Sequence, residues 1–396
     1  MTTDRFVRRP ARWMTADEAV ALLGVRKATL YTYVSRGVLR SRSDGGRACH
    51  YLAEDVERLA ARTAARKGHG PVAAGALRWG EPVLDSAITA IENNALRYRG
   101  KDAVALALEG ASFESVADLL WSAPAGEPWP NCPVSIAPSK LPGVWRWAAL
   151  LPSMALADPG RHGASPEAER DRARRLIVAL ASSLCRRDVN ADRVSKRVCA
   201  AWRLPQRHAP LIDRALVLCA DHELNVSTFA ARVAASAGAD LYACVGAALN
   251  VFSAPLHGGA AERVEALLDE VPTRRVDAWL RDRLARGESL LGFGHRLYPN
   301  GDPRAPALLD ALPSGGDRRR RSALRALVPA VESLTGQRPT IDLALVALTT
   351  ALGLPAGSAT TLFALGRTAG WVAHVMEQRE SRGLLRPRAR YVGPRP

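Results

Sequence analysis

The chain has 396 residues and 47% hydrophobic content, enough for a large core and more than one domain at about 150 residues each. Aromatic residues make up only 6%, and alanine, leucine, valine and arginine dominate, which favours helices over a β-sandwich and predicts a mostly α protein. The formal charge is +16, and residues 1–70 hold fourteen Lys/Arg against seven Asp/Glu, the mark of a polyanion-binding front end or, equally, of solubility alone. The start, MTTDRFVRRPARW, lacks the apolar stretch of a secretory signal, and no run approaches the roughly 20 apolar residues of a membrane span, so a cytoplasmic, soluble chain is expected. Six dispersed cysteines without a CxxC spacing are expected to be reduced and structural.

In chain order, Thr15-Ala-Asp-Glu18 has the form of a capping box, with Ala19, Leu22 and Leu23 on one face of the helix it opens. Gly24 supplies a left-handed stop, and Arg26–Arg36 forms a second helix with Leu30 and Val34 inward, ended by Gly37. The stretch LRSRSDGGRACHYLAEDVERLAAR then reads as strand, Gly-Gly turn, strand and a third helix from about Glu54. The segments Leu23-Gly24-Val25, Thr29-Leu30-Tyr31, Tyr33, Gly37-Val38-Leu39 and the arginines of the hairpin resemble the winged helix-turn-helix domains of the MerR and excisionase families. That resemblance covers residues 12–62. It implies a DNA-binding domain over 1–68, with Lys27, Thr29 and Tyr31 on the recognition helix and Arg42 and Arg47 on the phosphate backbone. Arg26 stands where such domains place a Ser or Thr cap, and a protein-contact module remains the alternative. Residues 69–75 lose helical periodicity and read as a linker.

From Leu84 the pattern turns helical, and LRYRG precedes an amphipathic helix. The Pro- and Gly-rich interval 123–165 reads as loops between helices. Small residues at three- and four-residue spacing (Ala231, Ala234, Ala235, Gly238, Ala243, Gly246, Ala247) predict a closely packed helix pair. Three histidines stand at breaks between elements: His222 in Asp-His-Glu, His257 in Pro-Leu-His-Gly-Gly, and His295 after Gly-Phe-Gly. Their spacings match no local zinc motif, so no metal is expected. Asp342 heads an apolar helix, where a carboxylate is either a cap or a base tuned by burial.

The ordered segments DHELNVSTFAARVAASAGADLY, PLHGGAAE, GFGHRLYPNGDPRA, TIDLALVALTTALGLP, FALGRTAGWVAHVMEQ and LLRPRARYVG resemble the successive motifs of the citrate synthase family, over residues 84–394. The resemblance implies an all-α citrate synthase fold, with a large domain at 75–258 and 354–396 and a small domain at 259–353. It implies condensation of acetyl-CoA or propionyl-CoA with oxaloacetate, the entry reaction of the tricarboxylic acid cycle or its methylcitrate counterpart, without a cofactor. It also implies that Asp342 takes the methyl proton, His257 meets the enol oxygen and His295 polarises the oxaloacetate carbonyl. His222, Arg304, Arg367 and Arg386 would hold the substrate carboxylates, Arg386 by reaching into the partner of a homodimer, and Arg296 would meet a CoA phosphate. Pro299, Gly301, Ala261 and Leu343-Ala344-Leu345 depart from the family pattern. Two further readings stand beside synthesis: a DNA-binding regulator that senses metabolites through this fold, and citryl-CoA cleavage.

Overall fold

Thr15 does what its spacing predicts. Its hydroxyl accepts the Glu18 N–H at 3.3 Å and the Glu18 carboxylate accepts the Thr15 N–H at 2.8 Å, opening α1 (Ala16–Leu23). Gly24 ends that helix at φ 64°, and α2 (Lys27–Ser35) follows after a tight turn. The strands β2 (Ser41–Ser43) and β3 (Cys49–Leu52) pair as the expected hairpin. A strand that the pattern did not announce, β1 (Trp13–Thr15), pairs with the other edge of β3, giving the order β1-β3-β2. Ala19, Leu23, Leu30, Leu39, Tyr51 and Val56 close a small core of their own.

A computed structural model describes residues 13–35, 37–43, 49–53, 55–56, 59, 84–130, 141, 143–163, 165–184, 191–381, 383–387, 389, 391 and 393–394. The Gly45-Gly46 turn, Arg47, Cys132, Cys185 and the expected linker at 69–75 lie outside these residues. The chain divides into two compact units, residues 1–85 and 86–396. Cys49, Cys199, Cys219 and Cys244 are free thiols, the last three buried.

The second unit begins with a correction. Residues after Leu84 form strands, β4 (Thr89–Glu92), β5 (Ala95–Tyr98) and the short β6 (Lys101–Asp102), in one antiparallel sheet. Asn93 and Asn94 turn the hairpin at φ 51° and 63°, the two consecutive left-handed residues that a tight primed turn needs. Helices then take over: α3 (Ala103–Leu108), α4 (Phe113–Leu120), α5 (Gly143–Ala157), α6 (Pro166–Ser183), α7 (Val194–Ala201) and α8 (Ala209–Cys219). A 15-residue helix thus occupies part of the interval expected to be loops, with Pro152 inside it.

The predicted helix pair is present as α9 (Val226–Ser236) and α10 (Leu241–Phe252), packed on each other. The remaining helices are α11 (Ala260–Glu270), α12 (Val276–Ala285), α13 (Arg304–Leu309), α14 (Arg318–Thr335), α15 (Ile341–Ala351) and α16 (Ser358–Ser381). The arginine run 318–321 opens α14: Arg320 binds both oxygens of Asp269 at 2.8 and 2.7 Å and so clamps α14 onto the end of α11.

Helix α16 is buried along most of its 24 residues and packs against α4, α5, α6, α8, α9, α10, α11 and α15. Gly366 and Gly370 allow its closest approach. A Cβ on Gly366 would lie 2.7 Å from the Leu216 carbonyl oxygen, and one on Gly370 2.5 Å from that of Ala220. The end of α8 therefore lies directly against the middle of α16. Among the described residues, no helix is long and apolar enough to cross a membrane.

Candidate active site

Gly292 and Gly294 build the loop that carries His295. Both have positive φ, 83° and 72°, and a Cβ on Gly292 would press within 3.0 Å of the Leu343 Cβ. The loop is zipped to the segment before α15: Gly294 N–H donates to the Arg338 carbonyl at 2.9 Å and Thr340 N–H to the Gly292 carbonyl at 2.8 Å. Asp342, one residue inside α15, is thereby brought close to the His295 loop in space although 47 residues separate them in sequence. Thr340 is the N-cap residue, so Asp342 is spared that role, and its side chain receives a long contact from the Thr340 hydroxyl at 3.4 Å.

After His295 the chain turns back on itself, Tyr298 N–H donating to the His295 carbonyl at 3.1 Å. Tyr298 is buried, and its hydroxyl meets His222 Nε2 at 3.0 Å. The His295 ring lies 5.3 Å from that of His222 and 4.9 Å from that of Tyr298, centroid to centroid. The Arg304 guanidinium stands 5.5 Å over the Tyr298 ring. His222 and, 73 residues later, His295, Tyr298 and Arg304 of a single loop segment thus form one cluster drawn from two stretches of sequence.

Arg304 and Arg367 are both 2% exposed. Arg304 is held in fork geometry by Asp302, Nε to Oδ1 at 2.9 Å and Nη2 to Oδ2 at 2.8 Å. Its remaining nitrogen, Nη1, is buried and has no hydrogen-bond partner among the described residues. A buried, unspent N–H of a guanidinium is a ready anion donor. Arg367 donates Nε to the Cys219 carbonyl at 2.8 Å, at the C-terminal end of α8, and lies 4.9 Å over the Phe363 ring.

Burial, with these charges adding to it, sets the protonation of the imidazoles. Burial, with Arg304 beside it, pushes His295 down to about 4. Burial and Arg367 push His257 to about 4, and burial with both arginines takes His222 well below its ordinary value. All three rings are neutral at neutral pH. His295 Nδ1 accepts the Leu297 N–H at 3.1 Å, so its ring proton sits on Nε2 and that edge is a donor. Burial raises the Asp342 carboxyl, against the opposing pull of Arg304.

His257 follows the end of α10, its ring 5.2 Å from that of Phe252, and Nε2 meets the Ser227 hydroxyl at 2.7 Å. Ser227 also lies 2.7 Å from Asn225 Oδ1 and accepts from Trp371 Nε1 at 3.1 Å. The preceding Leu256 is 93% exposed, so His257 borders open solvent on one side.

Arg296 is exposed at the tip of the 295–298 turn. Arg386 is exposed on the segment after α16, and no contact among the described residues ties it to the cluster. In the first unit, Lys27 pairs with Asp17 at 2.6 Å, Tyr31 is 57% exposed, Thr29 is half-buried, and Arg42 stacks over the Trp13 ring at 4.7 Å. The residues missed from sequence are Tyr298, Asp302, Ser227 and Asp221. Asp302 had a signal, the Asp-Pro-Arg spacing that lets it chelate Arg304; Tyr298 and Ser227 declare themselves only in space. A separate cleft of about 460 Å³, lined by Leu309, Arg321, Val328 and Ala351 among others, lies at the far end of α15 and shares no residue with the cluster.

Comparison with known proteins gives this geometry its family. Residues 138–388 match the citrate synthase C-terminal domain, 251 of the 396 residues. The chain belongs to the citrate synthase family. Residues 13–64 match a helix-turn-helix domain. The putative citrate synthase 2 of Mycobacterium tuberculosis (strain CDC 1551 / Oshkosh) is 34% identical over 341 residues, covering 77% of this chain and 88% of that protein. The 2-methylcitrate synthase 1 of Corynebacterium glutamicum is 37% identical over 186 residues, 46% of this chain and 50% of that protein. A Thermoplasma acidophilum citrate synthase, solved in ternary complex with carboxymethyl coenzyme A and oxaloacetate, superposes with a TM-score of 0.68 at 26% identity over 80% of this chain and 95% of that one.

The neutral imidazoles give a prediction that needs no activity. In a histidine-selective NMR titration, His257 and His295 should change protonation near pH 4. Inflections near the unperturbed value of about 6.5 would contradict the burial argument.

Proposed function

We propose that the protein is a citrate synthase-type enzyme that condenses acetyl-CoA or propionyl-CoA with oxaloacetate, releasing citrate or 2-methylcitrate and CoA. The observation that carries this reading is the cluster of neutral imidazoles around two buried arginines, one with an unspent buried donor. A small dianion with a polarisable carbonyl fits it. Arg304 and Arg367 hold the carboxylates, with His222 as a further donor and Arg386 supplied by the partner subunit of a homodimer. Exposed apolar residues on α5 and α9 (Trp145, Leu156, Val226 and Val233) favour a second copy covering that side.

The chemistry follows from the protonation states. Asp342, ionised and poorly solvated, removes a proton from the carbon next to the thioester carbonyl. The electron pair moves onto the thioester oxygen, where His257 donates from Nδ1. That role requires Nε2 to accept, so the Ser227 proton must point to His257 rather than to Asn225. The enol carbon attacks the oxaloacetate carbonyl while His295 Nε2–H donates to its oxygen. Water then cleaves the thioester and releases CoA. Every proton moves between the chain's own groups, substrate and water, and no further cofactor takes part. The reading includes a hinge between a large domain (75–258 with 354–396) and a small domain (259–353), whose closure brings the half-buried His257 to the base, and a CoA phosphate at Arg296.

The test is thiol release with oxaloacetate and each acyl-CoA. The wild-type chain should release CoA, and Asp342→Asn should lower kcat by about 10²–10⁴-fold. The rate should fall as pH drops through the raised Asp342 pKa, because the base is lost on protonation while the imidazoles stay neutral to about 4. No CoA release with either acyl-CoA would sink the reading. Cleavage of citryl-CoA to acetyl-CoA and oxaloacetate, with the thioester intact and no free thiol, would mark a lyase.

A second reading is favoured by the helix-turn-helix unit: duplex DNA binding through the α2 face, with Lys27, Thr29 and Tyr31 toward the groove and Arg42 and Arg47 on the backbone. Binding in a mobility shift should weaken steeply with salt, and Lys27→Ala with Arg42→Ala should reduce the salt slope by about one for each phosphate left without its cation. A shift insensitive to salt, or none, would contradict it.

A further inference from the structure

Asp221 is fully buried, sits one residue before His222, and takes part in no step of the condensation. Its Oδ2 accepts the Glu223 N–H at 3.1 Å and faces His374 Nε2 at 3.3 Å. The residue whose amide it holds has an unusual backbone. Glu223 lies at φ 56°, a left-handed conformation that residues with a Cβ rarely adopt unless their surroundings hold them there. On the other side of the carboxylate stands Gly370, in the interior of α16, where glycine weakens a helix. A Cβ there would fall 2.2 Å from Asp221 Oδ1, and the Gly370 N–H donates to the Ala220 carbonyl at 2.9 Å. The helix that bears Arg367 is thus shaped to accept this one carboxylate.

His374, also fully buried, completes the arrangement. Its Nδ1 faces Arg232 Nη1 at 3.4 Å, and since a guanidinium only donates, Nδ1 accepts and the ring proton sits on Nε2, aimed at Asp221. Arg232 is fixed in turn by Gln378 Oε1 at 3.1 Å and Glu377 Oε2 at 2.8 Å. A line of buried partners runs from Arg232 through His374 and Asp221 to the Glu223 amide. It ends at the turn that aims His222 at the Tyr298 hydroxyl.

We propose that Asp221 and His374 are positioning residues of the carboxylate-binding side of the site, holding Glu223 in its left-handed turn so that His222 and Arg367 face the same space. The inference rests on the reading of His222 and Arg367 as oxaloacetate contacts. A pair that merely stabilised the fold would alter yield and melting temperature without singling out one substrate.

The test uses the full chain with four variants: His374→Leu, His374→Gln, Asp221→Ala, and Asp221→Ala combined with Glu223→Gly. Losing one charge-assisted buried hydrogen bond should raise the KM for oxaloacetate roughly tenfold or more in His374→Leu and Asp221→Ala, with the KM for acyl-CoA within about twofold. His374→Gln keeps an N–H for Asp221 and should stay near wild type. Glycine adopts positive φ freely, so Glu223→Gly should reverse part of the rise in oxaloacetate KM caused by Asp221→Ala. Equal effects on both KM values, or wild-type behaviour of His374→Leu, would overturn the proposal; should Asp221→Ala not fold, the two His374 variants still decide. Crystal structures of His374→Leu and His374→Gln separate this failure from that of the functional reading. Loss of the left-handed Glu223 conformation and of the His222–Tyr298 hydrogen bond in His374→Leu alone supports the proposal even if the wild-type chain released no CoA. Unchanged geometry in both overturns it.

Discussion

One carboxylate holds the centre of this molecule together. Asp302 is 2% exposed, grips the Arg304 guanidinium with both oxygens, and also accepts the Ile341 N–H at 2.9 Å. Burial alone would raise its pKa, yet Arg304 holds it below the ordinary carboxylate range. Through these bonds a single side chain fixes Arg304 and the first turn of α15, from which Asp342 projects. Removing one partner of such a buried pair typically costs about 3–5 kcal/mol, because the other charge is left stranded. The cluster can therefore carry two guanidiniums in its interior only while each has a counter-charge within reach: Asp302 for Arg304, Asp221 for Arg367.

Burial, reinforced by the same two guanidiniums, keeps the imidazoles uncharged. In water His295 and His257 would titrate near neutrality. Buried beside fixed positive charge they stay neutral down to about pH 4 and offer N–H groups without a full charge of their own. A neutral donor can polarise a carbonyl without forming a permanent ion pair with a carboxylate substrate. Asp342 moves the other way, raised by burial, and so is a stronger base when ionised than a solvated aspartate. Carboxyl and imidazole are thus shifted in opposite directions by the same burial, each toward its neutral form.

Much of this was legible in the sequence because it depends on local rules. The Thr15–Glu18 capping box, the Gly24 stop, the close helix pair at 226–252 and the glycines around His295 each follow from backbone geometry that neighbouring residues reveal. The ordered motifs contain His222, His295 and Arg304, which the fold brings together around Tyr298. What stayed hidden was non-local or counter to propensity. The hairpin at 89–98 is hard to see in the sequence because its strands are only four residues long, although Asn93-Asn94 is the kind of pair that turns a hairpin. The helix at Gly143–Ala157 was masked by Pro152 and the surrounding prolines. Tyr298, Ser227 and Asp221 could not be singled out, since their importance lies in partners between 30 and 153 residues away.

The central claim is that one small dianion fits between Arg304 and Arg367 with its carbonyl at His295. A crystal structure of the chain soaked with oxaloacetate tests it most directly. One carboxylate is expected on Arg304 Nη1, the other on Arg367, and the keto oxygen within hydrogen-bond distance of His295 Nε2. Oxaloacetate bound elsewhere, or in this cluster with its carbonyl turned away from His295, would contradict it.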